Sequence, residues 1–90
     1  MPPRLEIELA ETKRFQVDCA LHGLEGDRFE AALNILRSDP VVGTQRPEAP
    51  ALWDWTFRGL RITYGLSEEL DRIVLLRGCA DRGAEIWGGR

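Results

Sequence analysis

The feature that most constrains this chain is the stretch Leu52 to Arg82, LWDWTFRGLRITYGLSEELDRIVLLRGCADR, where three short apolar runs are separated by two turn signals. In the first run Trp53, Trp55 and Phe57 alternate with Asp54, Thr56 and Arg58. In the second, Leu60, Ile62, Tyr64 and Leu66 alternate with Arg61 and Thr63. A period of two places alternate residues on opposite faces of a strand. The third run, Ile73 to Leu76, is apolar on both faces, which suits a strand covered on both sides. Arg58-Gly59 turns the chain between the first two runs, and Ser67 to Asp71 is a polar connection. Runs joined this closely form a meander, with one face built of large hydrophobics and the other displaying arginines.

The rest of the chain must supply cover for the apolar face. Leu5, Ile7 and Leu9 alternate with Glu6 and Glu8, the pattern of a half-buried strand that needs a partner. Residues 10–24 fit two patterns. With period two, Phe15, Val17, Cys19 and Leu21 share a face; with helical spacing, Phe15, Cys19 and His22 line up, as do Val17, Leu21 and Leu24. The spacing of Phe29, Ala32, Leu33, Ile35 and Leu36 predicts a helix from Asp27 to Ser38. Gly26-Asp27 with Glu30 three residues on resembles a capping box, and Asp39-Pro40 is the stop, because a residue before proline avoids helical dihedrals. VVGTQRPEAP, residues 41–50, reads as a loop. The tail from about Cys79 contains glycines at 83, 88 and 89 and reads as irregular.

At 90 residues the chain is expected to be one domain, 1–90, with an economical core. Its formal net charge is −3, which argues against a general electrostatic funnel for nucleic acid. From Leu52 onward acids and bases balance, so the acidic excess lies in the first half and a local basic surface on the sheet is still allowed. The start, MPPRLEIELAE, has no apolar stretch suited to export or membrane insertion; a cytoplasmic protein with Cys19 and Cys79 reduced is expected, with no membrane association. His22 has no carboxylate or cysteine at metal-ligand spacing, and there is no glycine-rich phosphate loop; no metal and no cofactor are expected.

Two segments carry a family resemblance. Gly59-Leu60-Arg61-Ile62-Thr63-Tyr64 is similar to the Gly-aromatic-Arg-aliphatic-x-Tyr strand of the RelE/ParE/HigB superfamily, the toxins of bacterial toxin–antitoxin pairs. Arg72-Ile73-Val74-Leu75-Leu76-Arg77-Gly78 resembles the HigB-like strand that ends in a glycine and a basic segment. The likeness spans roughly Asp27 to Arg82. It implies a single RelE/ParE-like α+β domain: an antiparallel sheet of about four strands with helices packed on one face, and a helix within residues 10–24.

The resemblance also implies a function: a toxin-like component, the ribosome-dependent endoribonuclease type cutting messenger RNA through the RNA's own 2′-hydroxyl. Its partners would be an antitoxin together with the ribosome and mRNA, or DNA gyrase for a ParE-like member. Such cleavage needs proton removal, neutralisation of phosphorane charge and protonation of the leaving oxygen. Arginine suits the second task. Arg61 falls on the family's strand arginine, Arg82 is a stand-in for a basic residue after the last glycine, and Asp54 is the candidate base. Arg58, Arg61 and Arg77 are the candidate RNA-binding residues. The chain departs from the pattern where the family often has lysines, carrying Asp54 and Thr56, and where it has basic or histidine residues, carrying Cys79 and Ala80. Trp87 falls near a terminal aromatic that is often tyrosine. A non-catalytic interaction module on the same fold is the alternative.

Overall fold

The computed structural model describes residues 7–80. The order of elements is β1 (Glu8–Glu11), α1 (Lys13–His22), α2 (Asp27–Ser38), β2 (Thr44–Arg46), β3 (Ala49–Phe57), β4 (Leu60–Leu66) and β5 (Arg72–Ala80). The strands form one sheet in the order β1-β5-β4-β3-β2. The meander expected from Leu52 onward is its centre, with Trp55 opposite Ile62 and Trp53 opposite Tyr64.

Two expectations about the sheet are corrected. It has five strands rather than about four, and it is not wholly antiparallel, because β1 pairs in parallel with β5, Leu9 opposite Ile73. The extra strand is β2, inside the stretch read as a loop. Thr44 and Gln45 fold back antiparallel onto Asp54 and Trp53. Three residues are too few to show a period, and the flanking prolines mask the strand.

The ambiguous segment is a helix, and its ends explain why. Thr12 caps α1, its side chain accepting a hydrogen bond from the Phe15 N–H at 3.1 Å. Gly23 ends it in the left-handed region, at φ 63° and ψ 41°, which glycine adopts without a Cβ penalty. The set Phe15, Cys19 and His22 faces inward, whereas Val17 and Leu21 are exposed. Helix α2 has the bounds read from the sequence. Its expected capping box is absent: Gly26 is the cap and Asp27 lies within the helix, so Asp27 and Glu30 act on the helix dipole instead.

The core is a single layer between the helices and the inner sheet face. Phe15, Phe29, Ala32, Leu33 and Leu36 pack against Leu60, Ile62, Tyr64, Leu66, Ile73 and Leu75. Phe15 and Phe29 stack at 6.1 Å between ring centroids. Trp53, Trp55 and Phe57 line this face but are only partly buried, since they lie toward the sheet's far side under less helix. Tyr64 is fully buried; its hydroxyl donates to the Pro40 carbonyl at 2.7 Å and accepts from the Gly43 N–H at 3.2 Å. That phenol fastens the connection between α2 and β2, and so sets where β2 begins. Of the tail, Cys79 and Ala80 belong to β5; the remainder lies outside the described residues.

Candidate functional site

The helices cover one face of the sheet, and the functional candidates stand on the other. Because Ile62 and Tyr64 point into the core, Arg61 and Thr63 of β4 must point outward. By the same register Asp54 and Thr56 of β3 stand beside them, Asp54 opposite Thr63 and Thr56 opposite Arg61.

On β5 alternation alone would send Arg77 inward, two residues after buried Leu75. A β-bulge intervenes: Tyr64 pairs with Leu75 but Thr63 pairs with Arg77, so Leu76 is an extra residue. The bulge reverses parity and re-aims the strand. Arg77 and Cys79 thereby join the open face, and Gly78 turns under the helices. A Cβ on Gly78 would lie 2.8 Å from both Leu24 Cδ1 and Phe15 Cε1, so only glycine fits there without a shift.

These side chains line a cleft of about 280 Å³. Its floor is Arg61, Thr63, Arg77 and Cys79; Arg46 and Asp54 form one wall and His22, at the end of α1, the other. Arg61 is exposed and has no ion-pair partner among the described residues. Three guanidinium groups and one carboxylate are thus gathered around a polar recess.

Asp54, expected as a base, is engaged otherwise. Its two oxygens accept from Arg46 Nε at 2.6 Å and Nη2 at 2.9 Å, and Oδ1 also accepts from the Thr63 hydroxyl at 2.8 Å. The Arg46 hydrogen bond holds its carboxyl below the usual aspartate range; partial burial opposes this, and Thr63 and Arg61 add to the lowering. A carboxylate so stabilised is a weaker proton acceptor than a free aspartate, which counts against the expected role of Asp54 as the base. Arg46, which no sequence pattern singled out, neutralises the charge that would otherwise repel a phosphate.

The expected RNA-binding set is brought together only in part. Arg61 and Arg77 share the cleft. Arg58 does not line it: Arg58 sits in the β3–β4 turn at φ 48°, its guanidinium 5.1 Å from the centre of the Phe57 ring and its carbonyl accepting from Arg28 Nη1 at 2.7 Å. Arg82 lies outside the described residues, as does Trp87. Cys19 and Cys79 are free thiols, and burial pushes the Cys19 thiol up, with Glu11 and Asp18 adding to it.

Sequence reasoning also missed Asp18. It is the buried charged residue of the described core, at 2 % exposure, and its Oδ2 accepts from Arg77 Nε and from the Gly78 N–H, both at 2.9 Å. Burial alone would raise its pKa, but the Gly78 N–H and the Arg77 guanidinium outweigh that and hold it below the usual range. A signal was present: Asp18 lies three residues from Phe15 and four before His22, on the inward stripe of the helical reading.

No protein-family model matches the chain, and no curated protein matches it by sequence. Among solved structures it is similar to a chain of the toxin–antitoxin complex RelBE2 from Mycobacterium tuberculosis. The TM-score is 0.64 at 21% identity, over 83% of this chain and 98% of that one. The two share a fold, which in this chain is an α+β domain with a mixed sheet backed by two helices. No helix among the described residues is long and apolar enough to cross a membrane.

Proposed function

We propose that this protein is the toxin-like component of a bacterial toxin–antitoxin pair, and that its open sheet face binds a phosphodiester of messenger RNA. The observation that carries this reading is the cleft in which Arg61, exposed and unengaged by any described carboxylate, stands beside Arg77 on the adjoining strand. Two guanidinium groups on neighbouring strands match the oxygens of one phosphate and the negative charge of a phosphorane. The fold shared with a chain of a toxin–antitoxin complex supports the same reading. So does the pairing of Asp54 with Arg46, which quenches the acid within the cleft. An antitoxin covering this face is the implied partner, and the ribosome presents the message.

Proton transfer would be weakly equipped in an endoribonuclease of this design. Asp54 is held as a stabilised anion, and the cleft's remaining candidate for moving a proton is His22, a side chain of the type most often used in general acid–base catalysis. The experiment is to express the chain alone in bacteria beside Arg61→Ala. Growth arrest by the first and normal growth with the second is the expected result. Normal growth with both refutes the toxin reading and leaves the interaction module. Where arrest occurs, mapping message ends after incubation with translating ribosomes tests the RNA target. Intact message with arrested growth moves the target from mRNA to gyrase.

A further inference from the structure

Arg77 reaches the open face only because of the bulge at Leu76, and a bulge leaves backbone groups without ladder partners. The edge of β5 shows how those groups are satisfied. Strand β1 covers the edge from Arg72 to Leu75 and then ends. Thr12 continues the cover: its N–H donates to the Leu75 carbonyl at 3.1 Å, and its hydroxyl reaches the same carbonyl at 3.0 Å. Beyond it no strand among the described residues pairs with this edge. The Gly78 N–H is met instead by Asp18, projecting from α1. One carboxylate oxygen therefore closes the β5 edge and grips the Arg77 side chain in the same place.

The grip has a direction. Asp18 takes Nε of Arg77, the nitrogen on one side of the planar guanidinium. Nη1 and Nη2 make no hydrogen bond with the described residues, and the Arg77 side chain is 56 % exposed. A flexible surface arginine would lose rotamer freedom on meeting a ligand. This one is held beforehand through Nε, which leaves its terminal N–H groups without a described partner at the cleft it lines with Arg61. Arg14, four residues before Asp18, comes only within 3.9 Å of the carboxylate and is itself largely exposed, so Arg77 is the main charge partner.

We propose that Asp18 is a positioning residue of the open-face site: it locks the β5 bulge and aims the free end of Arg77 so that Arg77 and Arg61 converge on one phosphodiester of single-stranded RNA. This rests on the anion-binding reading above and adds a residue from the helix layer to it. Asp18 itself touches no ligand; it acts through Arg77. The role demands a buried acid at this point of α1, where an apolar residue would otherwise pack well.

The test measures binding of a short fluorescein-labelled RNA strand carrying 2′-O-methyl groups, which offers phosphodiesters but no free nucleophile. The proteins are wild type, Asp18→Asn, Arg77→Ala, Arg61→Ala and the double variant Asp18→Asn/Arg77→Ala. Arg77→Ala should weaken binding about tenfold, as expected for a lost charge-assisted contact. Asp18→Asn should reproduce most of that loss, and the double variant should bind no more weakly than Arg77→Ala alone, because the two act as one unit. A merely structural role would give Asp18→Asn and Arg77→Ala independent, additive effects.

Should Asp18→Asn not fold, Arg77→Lys carries the same test. Lysine keeps the charge, but its single ammonium cannot both satisfy Asp18 and present a fork, so it should bind as weakly as Arg77→Ala. Wild-type affinity in Asp18→Asn or in Arg77→Lys, with Arg77→Ala weakened, overturns the positioning role and leaves the anion site standing. Equal binding by wild type, Arg61→Ala and Arg77→Ala, or none by any, overturns the anion site and the positioning role together.

Discussion

Replacing Tyr64 with phenylalanine removes one oxygen atom from a fully buried side chain and nothing else. The ring keeps its place in the core and its stacking on Trp53 at 6.3 Å. What is lost is a donor to the Pro40 carbonyl and an acceptor for the Gly43 N–H. Each hydrogen bond contributes about 1 kcal/mol net, and more where the partner left behind is shut off from water. Both bonds are partly buried, so the sum is about 2 kcal/mol. For a domain of this size that lowers Tm by roughly 8–16 °C.

The effect should also be local. Gly43 immediately precedes β2, and β2 carries Arg46 to its pairing with Asp54. Freed from the phenol, residues 40–43 should open more often, and the Gly43 amide should exchange with solvent faster. Urea unfolding followed by tryptophan fluorescence gives the stability, and hydrogen exchange gives the local opening. A loss below about 0.5 kcal/mol, the range of an indifferent surface change, with unaltered exchange at Gly43, would refute the view that this phenol fastens the strand.

Further expectations follow from the same contacts. Gly78→Ala should destabilise by about 1–3 kcal/mol through overpacking against Phe15 and Leu24; a urea midpoint equal to wild type would contradict the geometry. Arg61→Ala, at an exposed position without a described ion pair, should leave stability within about 0.5 kcal/mol while abolishing growth arrest; loss of folding would make that residue architectural. Asp18 and Asp54 both have folded-state pKa values below the usual one. The stability they confer is therefore fully present above about pH 4, the ordinary aspartate value, and is lost as pH falls through their lower folded-state values. Unfolding midpoints measured down an acid series should drop over that range in wild type and less steeply in Asp54→Asn; equal slopes would show that the Arg46 pair carries no such linkage.

Much of the architecture was legible before any coordinates. The alternation in Leu52–Leu66 assigned β3 and β4, their inner faces and the outward aspect of Arg61, because a strand's period of two leaves little choice once one face is apolar. The stripe in Asp27–Ser38 and the Asp39-Pro40 stop located α2 to the residue. These are local properties: they depend on neighbours along the chain and on backbone geometry, and a sequence records both.

Other features depended on residues distant in the chain. That β1 lies parallel to β5, that Thr44–Arg46 forms an edge strand, and that Arg46 neutralises Asp54 follow from pairings between remote segments, which no periodicity encodes. The fate of Arg77 shows the reason most directly. Strict alternation would turn it inward; one extra residue in β5 reverses that, and Asp18, some sixty positions earlier, holds the reversal by binding both its side chain and the next backbone N–H. The sequence by itself determined which residues seek the core and which segments are regular. Only the tertiary structure decided which charges meet, because pairing among like residues is set by where packing leaves the strand edges and by which carboxylate lies close enough to reach them.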